Sequence, residues 1–380
     1  MRIAVFTECY HPIVNGVVVS VVTFSRELVK LGHQVDIYAP TFPGHRDTEP
    51  NVFRMSSISL PTHPRYPVAL PWSSLALRRV IRSRRPDIIH AQHPMITGRE
   101  ARRWARRLGC PFIFTYHTLI REYAHYLPLP RPLVRAMAVR LSRTFSNSAD
   151  CVVVPTRGTG EILRSYGVRA RIEAIPTGVD FDLMRASARN PARARLGIPE
   201  GVPVIAFTGR IAKEKSIDVL LEAFRLLSPR FPESRLLLIG GGPWQEHCQG
   251  LADSLGVAAR VIFTGFLPHT QVFDCLAEAS VFAFPSLTDT QGVVVLEAMA
   301  LGCPPVAVRS GAVEDVIEHE ENGLIVAPSA EGLAEGLTRV LESGEFRRGL
   351  AGRARARAEE FSSGRMAARL SQVYETLLSG

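Results

Sequence analysis

The stretch VIAFTGRIAKEKSIDVLLEAFRLL, residues 204–227, contains a strand, a loop and a helix in succession. Its first five residues are apolar or β-branched, which is typical of a strand buried on both faces of a parallel sheet. Residues 217–227 place their apolar side chains at helical spacing. Gly209, Arg210 and Lys215 lie between the two, after the carboxyl end of the strand. The stretch therefore predicts an α/β domain with a ligand site at this loop.

Similar short apolar runs recur on both sides of this stretch and alternate with helical segments. They lie at residues 3–6, 34–38, 87–90, 112–116 and 151–154, and again at 204–208, 235–239, 260–263, 281–283, 305–308 and 323–326. This pattern predicts parallel sheets covered by helices. A break rich in Pro, Ala and Arg separates the two series. We expect two doubly wound domains, 1–185 and 195–362, and a last helix at 363–380 for which the first domain is one packing partner.

The composition excludes several classes of protein. The 380 residues are 46% hydrophobic and 21% charged, which predicts a folded chain of about two domains and excludes disorder and collagen. No run approaches the ~18 apolar residues of a membrane span, and the first apolar run is too short for a signal peptide. The six cysteines form no Cys-x-x-Cys pair, so we expect reduced thiols in a cytoplasmic protein.

Basic charge is concentrated in the first half of the chain. Residues 1–190 hold 27 Lys and Arg against 13 Asp and Glu, whereas residues 191–380 hold 18 against 23. Ten arginines fall between positions 78 and 107. Helical spacing puts four of them largely on a solvated face: Arg102, Arg103, Arg106 and Arg107. Charge alone leaves open a solvated surface, a phospholipid membrane or nucleic acid as the explanation.

Glycines after predicted strands suit a phosphate group. A glycine lets the backbone approach an anion, N–H groups at a helix start attract it, and cationic side chains fix the two charges of a diphosphate. An ordinary turn is the alternative for each loop taken alone. The residues concerned are Gly16 in the first domain and Gly209, Arg210, Lys215 and Gly241 in the second.

The segment SLTDTQGVVVLEAMA, residues 286–300, carries two carboxylates eight residues apart. Asp289 lies in a predicted loop, and Glu297 lies on the helix that follows it. A carboxylate accepts paired hydrogen bonds from the vicinal diol of a sugar or a ribose. We predict that Asp289 faces the ligand with Glu297 behind it, although a capped acidic helix gives a similar pattern.

Taken in order, these residues resemble the retaining glycosyltransferases of family 4 over essentially the whole chain. The resemblance implies the GT-B fold, in which two Rossmann-like domains face a central crevice. The family signature is Glu, seven residues, Glu, and here the first acid is Asp289, one methylene shorter. The resemblance implies an enzyme that binds a nucleotide sugar and uses neither a metal nor another cofactor.

The resemblance also implies a role for each candidate residue. Glu297 is expected to hold the nucleotide ribose, and Asp289 the donor sugar. The other expected donor contacts come from the backbone of Gln291, Gly292 and Val293, from Arg210 and Lys215 at the diphosphate, and from Gly16 near the phosphates. His117, at the end of a first-domain strand, matches the active-site histidine beside the donor hexose, although a lone histidine there is more often structural.

A second segment indicates a subgroup within this family. YHTLIREYAHYLP, residues 116–128, looks like the acceptor segment of bacterial enzymes that glucosylate diacylglycerol. Tyr123 and Tyr126, followed by an apolar stripe over 133–141 with flanking arginines, suit an interfacial helix on an anionic bilayer. A helix packed on its own domain fits the periodicity equally well. We predict that these tyrosines, with the four arginines at 102–107, contact the acceptor or the membrane.

The predicted activity is transfer of a hexose, glucose from UDP-glucose, to a lipid such as 1,2-diacylglycerol on the inner face of the cell membrane. GDP-mannose as donor, and phosphatidylinositol or a soluble glycan as acceptor, form the alternative. A dehydrogenase would need Gly-x-Gly-x-x-Gly after the first strand, which is missing. A nucleic-acid binder would leave the two carboxylates without a purpose, so we expect no nucleic acid partner.

Two motifs resemble metal sites, and we interpret both otherwise. Asp180 and Asp182 have Asp-x-Asp spacing but fit a turn and a helix start better. His90 and His93 follow a strand without an apparent third ligand.

Overall fold

The computed structural model describes residues 1–13, 15–60, 63–70, 75–119, 130–187 and 191–380. Within this part the chain divides into two compact units. The first unit contains Met1–Gly178 and Ser363–Gly380, and the second contains Val179–Ser362.

The first unit alternates strands and helices. Its strands are β1 (Arg2–Phe6), β2 (Gln34–Pro40), β3 (Val52–Met55), β4 (Ser57–Leu60), β5 (His63–Ala69), β6 (Ile88–Ala91), β7 (Phe112–Thr115), β8 (Cys151–Val154) and β9 (Arg171–Ala174). Its helices are α1 (Gly16–Lys30), α2 (Leu75–Arg84), α3 (Ile96–Leu108), α4 (Arg131–Ser146), α5 (Arg157–Ser165) and the chain's last helix, α14 (Ser363–Ser379).

The main sheet of the first unit is parallel. Its described strands lie in the order β3-β2-β1-β6-β7-β8-β9, and β4 and β5 form a separate antiparallel pair. All four residues of β6, β7 and β8 are buried. Their near-continuous apolar sequence follows from this, because helices cover both faces of the sheet.

The second unit repeats the architecture. Its strands are β10 (Val204–Thr208), β11 (Arg235–Ile239), β12 (Val261–Gly265), β13 (Val281–Phe284), β14 (Pro305–Val308) and β15 (Leu324–Val326). Its helices are α6 (Phe181–Ser187), α7 (Ala192–Leu196), α8 (Ile217–Leu227), α9 (Gln245–Ser254), α10 (His269–Ala277), α11 (Val293–Ala300), α12 (Ala330–Glu342) and α13 (Gly344–Glu360). The sheet order, β12-β11-β10-β13-β14-β15, is that of a Rossmann fold.

The boundary between the units differs from the predicted one. We placed the end of the first domain at residue 185, but the second unit begins at Val179. The backbone N–H of Val179 donates to the carbonyl oxygen of Phe361 at 2.9 Å, and Val179 and Met184 are buried in the second unit's core. The short helix α6 therefore belongs to the second unit, because its apolar residues pack there.

The last helix packs on the first unit. Tyr374 is buried, and its hydroxyl lies 2.7 Å from Nδ1 of His90 at the end of β6. His33 Nε2 lies 2.9 Å from Ser371 Oγ, and the Arg369 guanidinium donates to the carbonyl oxygen of Ala174. The amphipathic helix thus buries one face against the unit in which the chain begins. In the described part of the chain, no helix has both the length and the apolar character that a membrane span needs.

Candidate active site

The strand order of the second unit changes direction between β10 and β13. The two strands are neighbours, and β11 and β14 flank them on opposite sides. In open α/β sheets, ligands bind at such a switch point, outside the carboxyl ends of the strands. The loop after β10 contains Gly209, Arg210 and Lys215, and the loop after β13 contains Asp289. The fold therefore brings the predicted donor residues of both loops to one edge of this sheet.

Close backbone packing explains the glycines of this edge. A Cβ atom on Gly240 would lie 2.0 Å from the carbonyl oxygen of Gly209, and Gly240 has φ near +129°. Only glycine fits such a position. The Gly240 N–H donates to the carbonyl oxygen of Gly265 at 3.0 Å, so that N–H is used by the fold and does not face an anion. A Cβ on Gly241 would meet the ring of Phe266 at 2.9 Å.

Lys215 and Asp289 form an ion pair. Lys215 lies in a short 3-10 turn, Lys213–Lys215, and its ammonium group donates to Oδ1 of Asp289. Both side chains are only partly exposed, so this pair is screened less than a surface pair. The sequence assigned the lysine to a phosphate and the aspartate to a sugar. The structure shows that the two candidates touch each other.

The loop that carries Asp289 is fixed to the turn that carries Lys215. The hydroxyl groups of Ser286 and Thr288 donate to the carbonyl oxygen of Glu214 at 3.5 and 3.2 Å. Oδ2 of Asp289 is buried and has no hydrogen-bond partner among the described residues. Burying a carboxylate oxygen without a hydrogen-bond donor costs free energy. This oxygen is therefore well suited to accept a hydrogen bond from a hydroxyl group of a ligand.

Glu297 lies on α11 and pairs with a histidine that the sequence analysis did not select. The carboxylate is only 7% exposed, and its Oε1 lies 2.9 Å from Nε2 of His269. Burial by itself lowers the pKa of His269, but the hydrogen bond to Glu297 and the charges of Glu297 and Asp180 outweigh it and raise that pKa. His269 follows β12 by four residues and is the first residue of α10, and this position shortly after a strand is the sequence signal that could have identified it.

The backbone at the start of α11 is partly used by the fold. The N–H of Gly292 donates to the carbonyl oxygen of Ala312 at 3.3 Å. The predicted contact of the donor sugar with the backbone of Gln291, Gly292 and Val293 stays a prediction. Arg210, in contrast, is exposed and forms no ion pair with the described residues.

Three histidines cluster at the carboxyl ends of β6 and β7 in the first unit. His117 Nε2 donates to the side-chain oxygen of Gln92 at 2.7 Å, which fixes the ring. Burial, together with the neighbouring His93 and His90, holds the pKa of His117 well below its usual range. Burial likewise lowers the pKa of His90 to about 3 and that of His93 to about 4. These imidazoles are therefore neutral at pH 7.

Gly16 is the first residue of α1. Asn15 caps this helix, because its side-chain oxygen accepts a hydrogen bond from the Val18 N–H at 2.9 Å. A Cβ on Gly16 would have open space around it. The glycine thus lies at a helix start, where N–H groups point outward.

The four predicted arginines of α3 have two kinds of surroundings. Arg102, Arg103 and Arg106 line one cavity, whereas Arg107 lies over the Trp104 ring at 5.5 Å. Tyr123 and Tyr126 lie outside the described residues.

The two motifs with metal-like spacing have other roles. Asp180 Oδ1 accepts a hydrogen bond from the Leu183 N–H at 3.1 Å, as the predicted turn and helix start require. His90 is held between Tyr374 and the hydroxyl of Thr115. In the described ranges, no group of three His, Cys, Asp or Glu side chains is arranged to hold a metal ion. That the reaction needs neither a metal nor another cofactor stays a prediction.

Two family models match the chain in succession. The model for Glycosyltransferase Family 4 matches residues 14–183, and the model for glycosyl transferases group 1 matches residues 188–357. Together they span both units.

Known proteins resemble the chain over most of its length. An alpha-monoglucosyldiacylglycerol synthase of Streptococcus pneumoniae is 31% identical over 81% of this chain and 71% of its own. A GDP-mannose-dependent alpha-mannosyltransferase of Mycobacterium tuberculosis is 29% identical over 86% of this chain and 84% of its own. The structure of sucrose-phosphate synthase from Thermosynechococcus elongatus superposes with a TM-score of 0.79, at 22% identity, over 100% of this chain and 99% of that one. The last likeness concerns the fold, and it confirms the predicted GT-B class.

Proposed function

The chain belongs to the family 4 glycosyltransferases, and we propose that it transfers glucose from UDP-glucose to a hydroxyl group of 1,2-diacylglycerol with retention of the α configuration. Membership of the family makes it a hexosyltransferase. The choice of donor and acceptor is the proposal, and it is supported by the likeness to the pneumococcal alpha-monoglucosyldiacylglycerol synthase.

One observation carries the assignment of the donor site. At the switch point of the second unit, Asp289 keeps a buried carboxylate oxygen without a hydrogen-bond partner among the described residues, while its other oxygen is held by Lys215. A sugar hydroxyl supplies the missing donor. The ammonium group of Lys215 and the exposed guanidinium of Arg210 supply positive charge at the same sheet edge for a diphosphate.

The proposed reaction follows from these charges. The bond between the sugar C1 and the diphosphate oxygen breaks, and its electron pair leaves with the diphosphate. The acceptor oxygen forms the new bond on the same face of the sugar, and its proton passes to a phosphate oxygen. Arg210 and Lys215 stabilise the charge that grows on the leaving group. His117, neutral at pH 7, is assigned the contact with the donor hexose that the resemblance implies.

The acceptor is a lipid, so we place the enzyme as a peripheral protein on the inner face of the membrane. The excess of basic residues in the first half of the chain supports binding to an anionic surface. Leu133 and Met137 of α4 support it further, because they are exposed while Val134 and Ala138 of the same helix are buried. One side of this helix packs on its own unit, and contact of the other side with a membrane is part of the proposal.

A second candidate is transfer of mannose from GDP-mannose to phosphatidylinositol or a soluble glycan. It is favoured by the mycobacterial alpha-mannosyltransferase, whose identity to this chain is nearly the same as that of the glucosyl relative.

Mass spectrometry of reaction products separates the two. The protein is incubated with UDP-glucose or GDP-mannose and with vesicles that contain diacylglycerol or phosphatidylinositol, and Asp289→Ala serves as the inactive control. We expect hexosyl-diacylglycerol from UDP-glucose alone. Mannosylated phosphatidylinositol, or a product only with a soluble glycan, would overturn the proposed substrates and leave the family assignment standing.

A further inference from the structure

A buried glutamine holds the imidazole ring of His117. Gln92 directly follows β6 and is 6% exposed, whereas His117 follows β7 and is partly exposed. His117 Nε2 lies 2.7 Å from the side-chain oxygen of Gln92. A ligand at the carboxyl ends of these strands would therefore reach the ring of His117 and not the buried amide that holds it. The sequence analysis did not select this glutamine.

The sheet fixes the backbone on both sides of this contact. The Gln92 N–H donates to the carbonyl oxygen of Phe6 at 2.8 Å. The Tyr116 N–H, next to His117, donates to the carbonyl oxygen of Val153 at 2.9 Å. β6 and β7 are themselves parallel neighbours. The separation between the amide and the ring is therefore set by strand pairing.

The hydrogen bond determines which ring nitrogen of His117 carries the proton. An amide oxygen can only accept, so the proton of the neutral ring lies on Nε2, and Nδ1 has a lone pair. Any group that contacts Nδ1, in the free protein or in a complex, must therefore donate a hydrogen bond. A hexose hydroxyl group can donate one, whereas the oxygens of an ionised diphosphate only accept. This tautomer thus suits contact with a sugar and not with a phosphate.

The other two histidines of this sheet edge serve the fold. The ring nitrogens of His90 contact two hydroxyl groups, those of Tyr374 and Thr115. His93 Nδ1 accepts a hydrogen bond from the Glu8 N–H at 3.1 Å, and its Nε2 lies 3.7 Å from a cysteine sulfur. Both nitrogens of each ring are occupied within the protein, so neither ring suits contact with a ligand.

We propose that Gln92 is a positioning residue for the transfer reaction. Its side-chain oxygen holds the His117 proton on Nε2, so that Nδ1 accepts a hydrogen bond from a hydroxyl group of the donor hexose. Gln92 itself contacts no substrate. The inference rests on the proposed function only in that a sugar donor binds beside His117, and it holds for glucose and mannose alike.

Nitrogen NMR of the protein with isotope-labelled histidine measures the tautomer directly, because protonated and unprotonated ring nitrogens differ in chemical shift. His117→Gln identifies the signals of His117 by their loss. We expect the parent protein, at neutral pH and without substrate, to carry the proton on Nε2. Gln92→Met keeps the length of the side chain but offers only a weak acceptor, so it should give a mixture of both tautomers. A proton on Nδ1 in the parent would overturn the proposal.

Kinetics and binding of the same variant separate positioning from a general loss of structure. We expect Gln92→Met to lower kcat/KM about tenfold or more, because Nδ1 is no longer an acceptor in every molecule. The affinity for the nucleoside diphosphate alone should change about twofold at most, since it carries no hexose. A loss of that affinity as large as the loss of kcat/KM would make Gln92 a structural residue and overturn the proposal.

Thr115→Val is the matched control. It removes a buried hydroxyl group that contacts His90 at the same sheet edge, so it should lower the melting temperature as Gln92→Met does. Its kcat/KM should change about threefold at most, and its His117 signals should match those of the parent. Equal losses of kcat/KM in the two variants would overturn the proposal.

Gln92→Glu tests the acceptor role through pH. In the parent, burial, His93 and His90 hold the pKa of His117 well below its usual range, whereas a carboxylate at position 92 would raise that pKa. An imidazolium has two donors and no acceptor. Activity of the variant should therefore be low at acid pH and recover as pH rises through the raised pKa of His117. A ring that NMR shows to be charged, in a variant that transfers sugar at the parent rate, would overturn the acceptor role.

The inference and the proposed function fail separately. If the protein transfers mannose and not glucose, the proposed substrates are wrong, and the same variants are compared with GDP-mannose as the donor. If Gln92→Met has mixed tautomers and yet glucosylates diacylglycerol at the parent rate, the role of Gln92 is overturned and the proposed function stands. Thermal unfolding of each variant verifies that it is folded.

Discussion

His269 and Glu297 share a hydrogen bond of 2.9 Å between the imidazole Nε2 and the carboxylate Oε1. The glutamate is nearly buried, whereas the histidine is partly exposed. One oxygen of Glu297 is therefore held by the protein, and this hydrogen bond fixes the orientation of the whole carboxylate. This fixed carboxylate is the group to which the family resemblance assigns the nucleotide ribose.

The raised pKa of His269 predicts a pH-dependent contribution to stability. Because the folded pKa lies above the usual 6.5, the charged pair stabilises the fold fully below that value, and the contribution disappears as pH rises through the raised pKa. We expect His269→Gln to lower the melting temperature at about pH 5.5 and to have little effect at about pH 8.5. His247→Gln is the control, since His247 has no carboxylate partner among the described residues. An equal shift at both pH values would contradict the prediction.

Replacing Glu297 with Gln should chiefly weaken donor binding. An amide keeps a single acceptor oxygen for the ribose diol and loses the charge that holds His269. We expect the KM for the nucleotide sugar to rise about tenfold or more while the melting temperature near pH 8.5 changes little. Calorimetric titration with the nucleotide sugar measures the affinity directly. An unchanged affinity would make Glu297 a structural residue.

The sequence predicted the fold well where strands are buried on both faces. The strands at 151–154, 204–208, 235–239 and 305–308 were predicted with the bounds that the structure gives. Both edge strands of the first unit's main sheet, β3 and β9, were missed. β9 has the sequence Arg-Ile-Glu-Ala, and its residues are partly exposed. Because two of the four are charged, the sequence cannot be distinguished from that of a loop. β3 likewise lies at the sheet edge and contains an arginine.

The candidate site was predictable in composition but not in its contacts. Strand ends and loop glycines indicated the positions of Lys215 and Asp289, because parallel strands direct their following loops to one edge. That the two side chains pair depends on the backbone turn at Ser216, which has φ near +53°, and on hydroxyl contacts to Glu214. Such tertiary contacts leave no periodic signal. The pairing of His269 with Glu297, 28 residues apart, was missed for the same reason.

Removing the cations of the donor site should lower turnover with little change in stability. Arg210→Ala and Lys215→Ala each delete a charge proposed to stabilise the leaving diphosphate, and loss of one such donor costs about 100-fold or more in kcat. Lys213→Ala is the matched control, because Lys213 lies in the same turn but faces the Trp244 ring at 5.7 Å. Steady-state kinetics with a folded protein decides the matter. Near-normal rates in either variant would refute the diphosphate site.

Two substitutions at Asp289 distinguish the need for a carboxylate from the need for a side chain of this length. Asp289→Glu restores the acid that is usual in the family, and we expect activity within about tenfold of the parent. Asp289→Ala removes the buried oxygen that is proposed to accept a hydrogen bond from a sugar hydroxyl, and it leaves Lys215 unpaired. Transfer of the sugar should therefore nearly cease. Product formation from the nucleotide sugar measures both. An alanine variant as active as the parent would show that the backbone alone holds the sugar.

The contact between Tyr374 and His90 should stabilise the first unit. The Tyr374 hydroxyl lies 2.7 Å from Nδ1 of a histidine that is itself buried and held on its other side by Thr115. Tyr374→Phe keeps the ring and leaves a buried nitrogen without its partner, which costs about 1–3 kcal/mol. We expect the free energy of unfolding in urea to fall by that amount, whereas Leu378→Ala, at an exposed position of the same helix, should change it by about 0.5 kcal/mol or less. Since α14 is the last helix of the chain, equal effects of the two substitutions would mean that apolar packing alone holds it.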